Sequence, residues 1–164
     1  MDCRAIRMTW ASLALAWVLV VAGAAPVVAA QPALTVSRGD DTVVTLTMAD
    51  LEALPQHALV TRNEFTDGPV TYVGPLARDV LARVGLDGFR YVRFIALNDY
   101  YIDVPTSDFE RYDVIFAMEA DGQRLSRRDK GPLWLMYPIS DHPELADPIY
   151  NARLIWQVVE VEPL

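Results

Sequence analysis

Arg127, Arg128 and Lys130 crowd around Asp129 in a chain whose formal net charge is −8. A guanidinium presents a rigid fork of donors that matches a carboxylate or a phosphate, so Arg128 and Lys130 are candidates for holding an anionic ligand. The same cluster also reads as a solvated loop, or as a contact for an acidic partner protein. Arg62, Asn63 and Glu64 stand at the end of an extended run, just before the Thr66-Asp67-Gly68-Pro69 turn, and Asn98, Asp99 and Tyr100 occupy a similar strand-to-loop position. Side chains at strand ends often face a cleft, which makes both groups candidates for ligand contact, with a solvated strand end as the plainer alternative. Adjacent tyrosines on a strand point to opposite sides, so at most one of Tyr100 and Tyr101 lines a pocket.

The signatures of the common enzyme classes are missing. There is no glycine-rich phosphate loop, no pair of histidines at helical spacing and no Gly-x-Ser-x-Gly elbow. His57 follows a helix-ending proline and reads as a surface residue. His142 lies in Asp141-His142-Pro143-Glu144, where flanking acids could support a metal or a proton transfer, although a solvated loop histidine is the commoner case.

The elements that must position these groups are short. Val114 to Met118 and Leu133 to Tyr137 are continuous apolar runs bounded by turn signals, the pattern of buried strands, and Asp121-Gly122 is a type I′ hairpin signature. Leu34 to Ser37 and Thr42 to Leu46 read as strands about the Gly39-Asp40-Asp41 turn. Thr47 and Asp50 form a capping-box pair for a short helix before Pro55. Val70 to Val73 reads as a strand, and Gly74-Pro75 as the start of a helix with proline in its first position. Leu76, Val80, Leu81 and Val84 line one face of that helix, and Gly85 closes it. Tyr91 to Leu97 and Tyr100 to Val104 are strand-like, and Ser107 is expected to cap a helical turn through Tyr112. A long loop rich in proline and acids runs from Ser140 past Pro148, and Leu154 to Val161 closes the chain as a strand around Trp156. Many short strands with few short helices predict an α+β fold with a mixed β-sheet.

Residues 1–30 are read as a signal peptide. Arg4 and Arg7 precede an apolar run from Met8 to Val28, and Val28-Ala29-Ala30 offers small residues for cleavage; an uncleaved anchor is the alternative. Arg4 and Arg7 are not adjacent, so the general secretory route is expected rather than the twin-arginine one. Residues 31–164 are read as a single domain, monomeric and without a membrane span after cleavage. Of the 14 basic and 22 acidic residues, Arg4, Arg7 and Asp2 fall in the leader, leaving a net charge of about −9 on the exported part. Such a surface excludes nucleic acid as a partner. The single cysteine, Cys3, lies in the leader, so the domain is expected to carry no disulfide, no thiolate-held metal and no catalytic thiol.

The chain resembles the oxidoreductase molybdopterin-binding domain of the sulfite oxidase type over nearly all of 34–161. The resemblance rests on Leu46-Thr47 with Leu54-Pro55, on Gly74, Leu76, Arg78-Asp79 and Leu81, and on Asn98-Asp99-Tyr100 leading to Pro105. It continues through Asp113-Val114, Ala117, Glu119, Gly122 and Leu125 to Pro132-Leu133 and the closing Ile155-Trp156. The family resemblance implies a cleft where the segments of Arg62 to Glu64, Asn98 to Tyr100 and Arg127 to Lys130 converge. It also implies a cysteine thiolate near Asn63 to Thr66, where this chain has Phe65; the family's histidine-glycine and the arginine after proline-leucine are replaced by Asp129-Lys130 and Trp134. A thiolate is the protein's handle on molybdenum, and phenylalanine offers none. The expectation is therefore a periplasmic or secreted binding or sensing module for a small anionic ligand, or for a periplasmic partner protein, with no cofactor. The alternative is a molybdopterin-dependent oxidoreductase whose cofactor is held by noncovalent contacts alone.

Overall fold

A computed structural model describes residues 32–39 and 42–164. The expected signal peptide and the Asp40-Asp41 part of the first turn lie outside the described residues. Among the described residues no helix is long and apolar enough to cross a membrane.

The strands are β1 (Pro32–Ser37), β2 (Val43–Thr47), β3 (Gln56–Thr61), β4 (Val70–Pro75), β5 (Tyr91–Ala96), β6 (Tyr101–Pro105), β7 (Ile115–Ala117), β8 (Glu119–Ala120), β9 (Gln123–Arg124), β10 (Trp134–Met136) and β11 (Val158–Pro163). The helices are α1 (Met48–Glu52), α2 (Ala77–Val84), α3 (Ser107–Arg111) and α4 (Pro148–Ala152), with a single 3-10 turn at Pro143–Ala146. One sheet runs β2-β1-β11-β5-β6, and only its β1–β11 pair is parallel. A second, antiparallel sheet runs β3-β4-β8-β9. Between them β7 and β10 pair as a two-stranded ribbon. The fold is α+β, as the many short strands predict.

The ribbon is the centre of the core. Every residue from Val114 to Met118 and from Leu133 to Tyr137 is buried, because both faces of β7 and β10 are covered, and that is why their sequences are continuous apolar runs rather than alternating ones. Phe116 of β7 meets Phe94 of the larger sheet, ring centroids 5.9 Å apart, and Phe94 meets Phe109 of α3 at 5.8 Å. On the other side β4 lies so close to β7 that a Cβ on Gly74 would sit 1.9 Å from the Phe116 carbonyl oxygen. Only glycine fits there.

Local signals produce the helices. Thr47 caps α1 through the full capping box: its Oγ1 accepts from the Asp50 N–H at 3.2 Å, and its own N–H donates to Asp50 Oδ2 at 2.8 Å. Val80, Leu81 and Val84 of α2 are buried, and Gly85 ends the helix at φ 75°. Burial of each such side chain contributes about 1.5–3 kcal/mol. The sequence places Pro75 at the first position of α2, whereas it ends β4, and Leu76 is the N-cap. The Ala77 N–H is satisfied by the Val114 carbonyl at 2.8 Å, so tertiary structure supplies the cap. Ser107 does not cap α3; Thr106 holds that position, and its hydroxyl donates to the Phe89 carbonyl at 2.6 Å instead. Nor does Trp156 lie inside the closing strand. It precedes β11 and forms an isolated bridge with Trp134.

Candidate functional site

A cleft of about 280 Å³ opens where three segments meet. Glu64 and Phe65 come from the loop after β3; Ala96, Asn98 and Tyr100 come from the end of β5 and the turn to β6. Asn151 and Ala152 of α4, with Leu154, Ile155 and Trp156 ahead of β11, form the remaining wall. The turn is held by Asp99 N–H to the Ala96 carbonyl at 3.0 Å and by Tyr100 N–H to Asn98 Oδ1 at 3.3 Å. Its other anchor is the Leu97 N–H, donated to the Gln157 carbonyl at 2.9 Å, which ties the turn to the opposite wall.

Phe65 and Trp156 of the lining belong to an aromatic cluster. Phe65 meets Trp156 edge to face at 5.0 Å, Trp134 lies 6.3 Å from Phe65 and 6.4 Å from Trp156, and Tyr72 packs on Trp134 at 5.4 Å. The phenolic group of buried Tyr72 is held above its usual range by burial, against the opposing effect of the Asn63 amide.

Of the residues expected to contact a ligand, Glu64, Asn98 and Tyr100 line this cleft; Arg62, Asn63, Asp99, Arg128 and Lys130 do not. Asn63 is used internally: its Nδ2 donates to Tyr72 Oη at 3.0 Å, and its Oδ1 accepts from the Phe65 N–H at 2.8 Å, which sets the Phe65 ring in place. Arg62 is exposed, and its N–H donates to Ser140 Oγ at 3.0 Å. Asp99 occupies the left-handed position of the turn, φ 64°, which a short acidic side chain tolerates. Arg128 is exposed, and the Lys130 ammonium lies 5.0 Å above the Trp134 ring. The basic stretch therefore does not line the cleft, although Lys130 reaches the aromatic cluster through Trp134.

The wall made by α4 is helical where a loop is expected from the sequence. Asp147 caps the helix through its Oδ1, which accepts from the Ile149 N–H at 2.9 Å, and Pro148 takes the first position. An acid followed by proline is a helix-start signal, and Asp147-Pro148 carries it. Behind this wall Arg153 is paired with Asp108 of α3 at 2.5 Å, and Asp108 also accepts from Tyr137 Oη at 2.9 Å. Burial first, and then the Asp108 charge, push the Tyr137 phenol well above its usual range.

A second, smaller cleft of about 160 Å³ brings His57 and His142 together with Asp113 and Asp141. His142 lies 3.7 Å from Glu144 and packs edge to face on Tyr112 at 5.0 Å. Among the described residues no group of three or more His, Cys, Asp or Glu is arranged to hold a metal ion. The metal role considered for His142 therefore gains no ligand set.

Two sheets about a buried ribbon, with a cleft at the strand ends, make a mixed α+β domain. The model of the oxidoreductase molybdopterin binding domain matches residues 22–140, and the chain belongs to that family. Among solved structures, the sulfane dehydrogenase SoxCD from Paracoccus pantotrophus superposes with a TM-score of 0.59 at 16% identity. The match covers 80% of this chain and 38% of that one, so the chain spans well under half of that protein's length. At this identity the likeness is one of fold. No curated protein matches the chain.

Molybdopterin carries a phosphate, and molybdenum enzymes of this type add a thiolate. The cleft lining contains neither lysine nor arginine, its one charged member is the carboxylate of Glu64, and no cysteine occurs after Cys3. This set of residues does not fit a group anchored by a thiolate and a phosphate clamp.

Proposed function

We propose that the chain is a binding domain that keeps the family fold and uses its cleft for a small molecule without molybdenum redox chemistry. The observation that carries this reading is the lining itself: three aromatic rings, two amides and one carboxylate, with Phe65 where the resemblance implies a thiolate. Glu64 inside the cleft, with Arg128 and Lys130 outside it, favours an uncharged or cationic ligand over the anion expected from the sequence. The leader-like composition of residues 1–30 supports export of the domain to the periplasm or beyond.

Family membership favours a second reading, a molybdopterin-dependent oxidoreductase that grips its cofactor noncovalently. Elemental analysis of protein purified from its native source separates the two, together with fluorescence of an oxidised extract. The binding-domain reading expects molybdenum far below stoichiometric and no pterin emission; near-stoichiometric metal would overturn it.

A further inference from the structure

Resting on that reading of the cleft, we infer that its ligand is a small organic cation, of the quaternary or alkylated ammonium class. Three aromatic side chains line the cleft, Phe65, Tyr100 and Trp156, and the last two remain 48% and 36% exposed, open to an incoming group. Ring faces are regions of negative potential and attract ammonium groups, most strongly where water is partly excluded. Glu64 adds an exposed carboxylate to the lining, and the amide of Asn98 turns its oxygen towards the turn it stabilises. No lining residue is basic, and the Lys130 ammonium over Trp134 is not part of the lining.

The aromatic cluster already receives one cation. Lys130 sits over Trp134, the buried member that packs edge-on against Trp156. Trp156 is the more exposed ring of the same cluster and lines the cleft. A net charge of −8 adds long-range attraction for a cation and repulsion for an anion. The cleft volume of about 280 Å³ accommodates a trimethylammonium head with a short tail.

The test is calorimetry on the purified protein with choline, with the uncharged analogue in which carbon replaces the ammonium nitrogen, and with inorganic phosphate. Choline should bind at least tenfold tighter than the carbon analogue. Glu64→Gln and Trp156→Leu should each weaken choline about fivefold or more, and Arg128→Ala should leave it unchanged. Glu64 is exposed, so Glu64→Gln should melt as the parent does; Trp156→Leu gives up packing on Phe65 and Trp134, so its titration is run well below its own melting temperature. Equal binding of choline and its carbon analogue, or tighter binding of phosphate, overturns the cation assignment and leaves the cleft reading standing. Absence of choline binding also overturns it. A neutral fragment library followed at the Trp156 indole resonance then separates the two failures, since a fragment that shifts it preserves the cleft reading and a silent library removes that reading too.

Discussion

Arg153 and Asp108 lie 45 positions apart in sequence and form an ion pair at 2.5 Å, with side chains only 11% and 6% exposed. Arg153 follows α4, so this pair fastens the cleft wall that carries Asn151 and Ala152 to α3. Removing the cation would strand a buried carboxylate whose one other partner is the Tyr137 hydroxyl, at a cost of about 3–5 kcal/mol. Arg153→Met should therefore lower the denaturation midpoint sharply, and Arg153→Met combined with Asp108→Leu should recover much of the loss. A double variant as unstable as the single one would show that the charge is not the cause.

Arg93 and Asp103 face each other across β5 and β6 and pair through two hydrogen bonds, at 2.7 and 3.0 Å. The Arg93 hydrogen bond holds the Asp103 carboxyl below its ordinary value, against a smaller effect of burial. A depressed carboxylate contributes stability that is present above its unfolded value of about 3.9 and is lost as pH falls through the lower folded value. The pair is partly exposed, so the contribution is at most about 1 kcal/mol. Asp103→Asn should be less stable than the parent near neutral pH, with the gap closing in strong acid. Denaturant titrations at several pH values would read it, and a gap that widens in acid would refute the assignment.

Gly74 and Gly122 should respond very differently to alanine. The added Cβ at Gly74 meets the Phe116 carbonyl at 1.9 Å, a backbone atom that cannot swing aside, so Gly74→Ala is expected to leave the protein unfolded or nearly so. At Gly122 the space is open and only the left-handed φ of 75° opposes a side chain, at about 1–2 kcal/mol. Circular dichroism melts of the two variants give the comparison directly.

Thr61 is fully buried, and its Oγ1 accepts from the Ser140 N–H at 3.1 Å, while Ser140 Oγ accepts from the Arg62 N–H at 3.0 Å. Thr61→Val keeps the shape and removes the acceptor, which should cost about 1–3 kcal/mol for the orphaned donor. Faster amide exchange at Ser140 would accompany it; unchanged exchange would mean that another acceptor takes over.

What was legible in the sequence was local. Thr47 with Asp50, the α2 face with Gly85 and the Asp121-Gly122 turn, at φ 48° and 75°, each declare themselves within a few residues. The family motifs then carried the fold, although Pro75 and Ser107 misled because their caps come from elsewhere in the molecule. The cleft was only half legible. Glu64, Asn98 and Tyr100 were found at strand ends, but the far wall hung on a helix start at Asp147-Pro148 that was read as loop. The Arg153–Asp108 pair had no local signal at all. Arg128 and Lys130 drew attention by charge, and charge alone does not say which way a loop turns.

The middle place of β11 in the larger sheet fixes an order of events in time. Its neighbours, β1 on one side and β5 on the other, are synthesised long before it, and until Val158–Pro163 arrives they belong to two separate hairpins, β1 with β2 and β5 with β6. A chain still emerging from the ribosome therefore has no complete larger sheet, however much of its sequence is already out. The last strand acts as a keystone, and trimming it away would divide one sheet into two pieces that share no hydrogen bond.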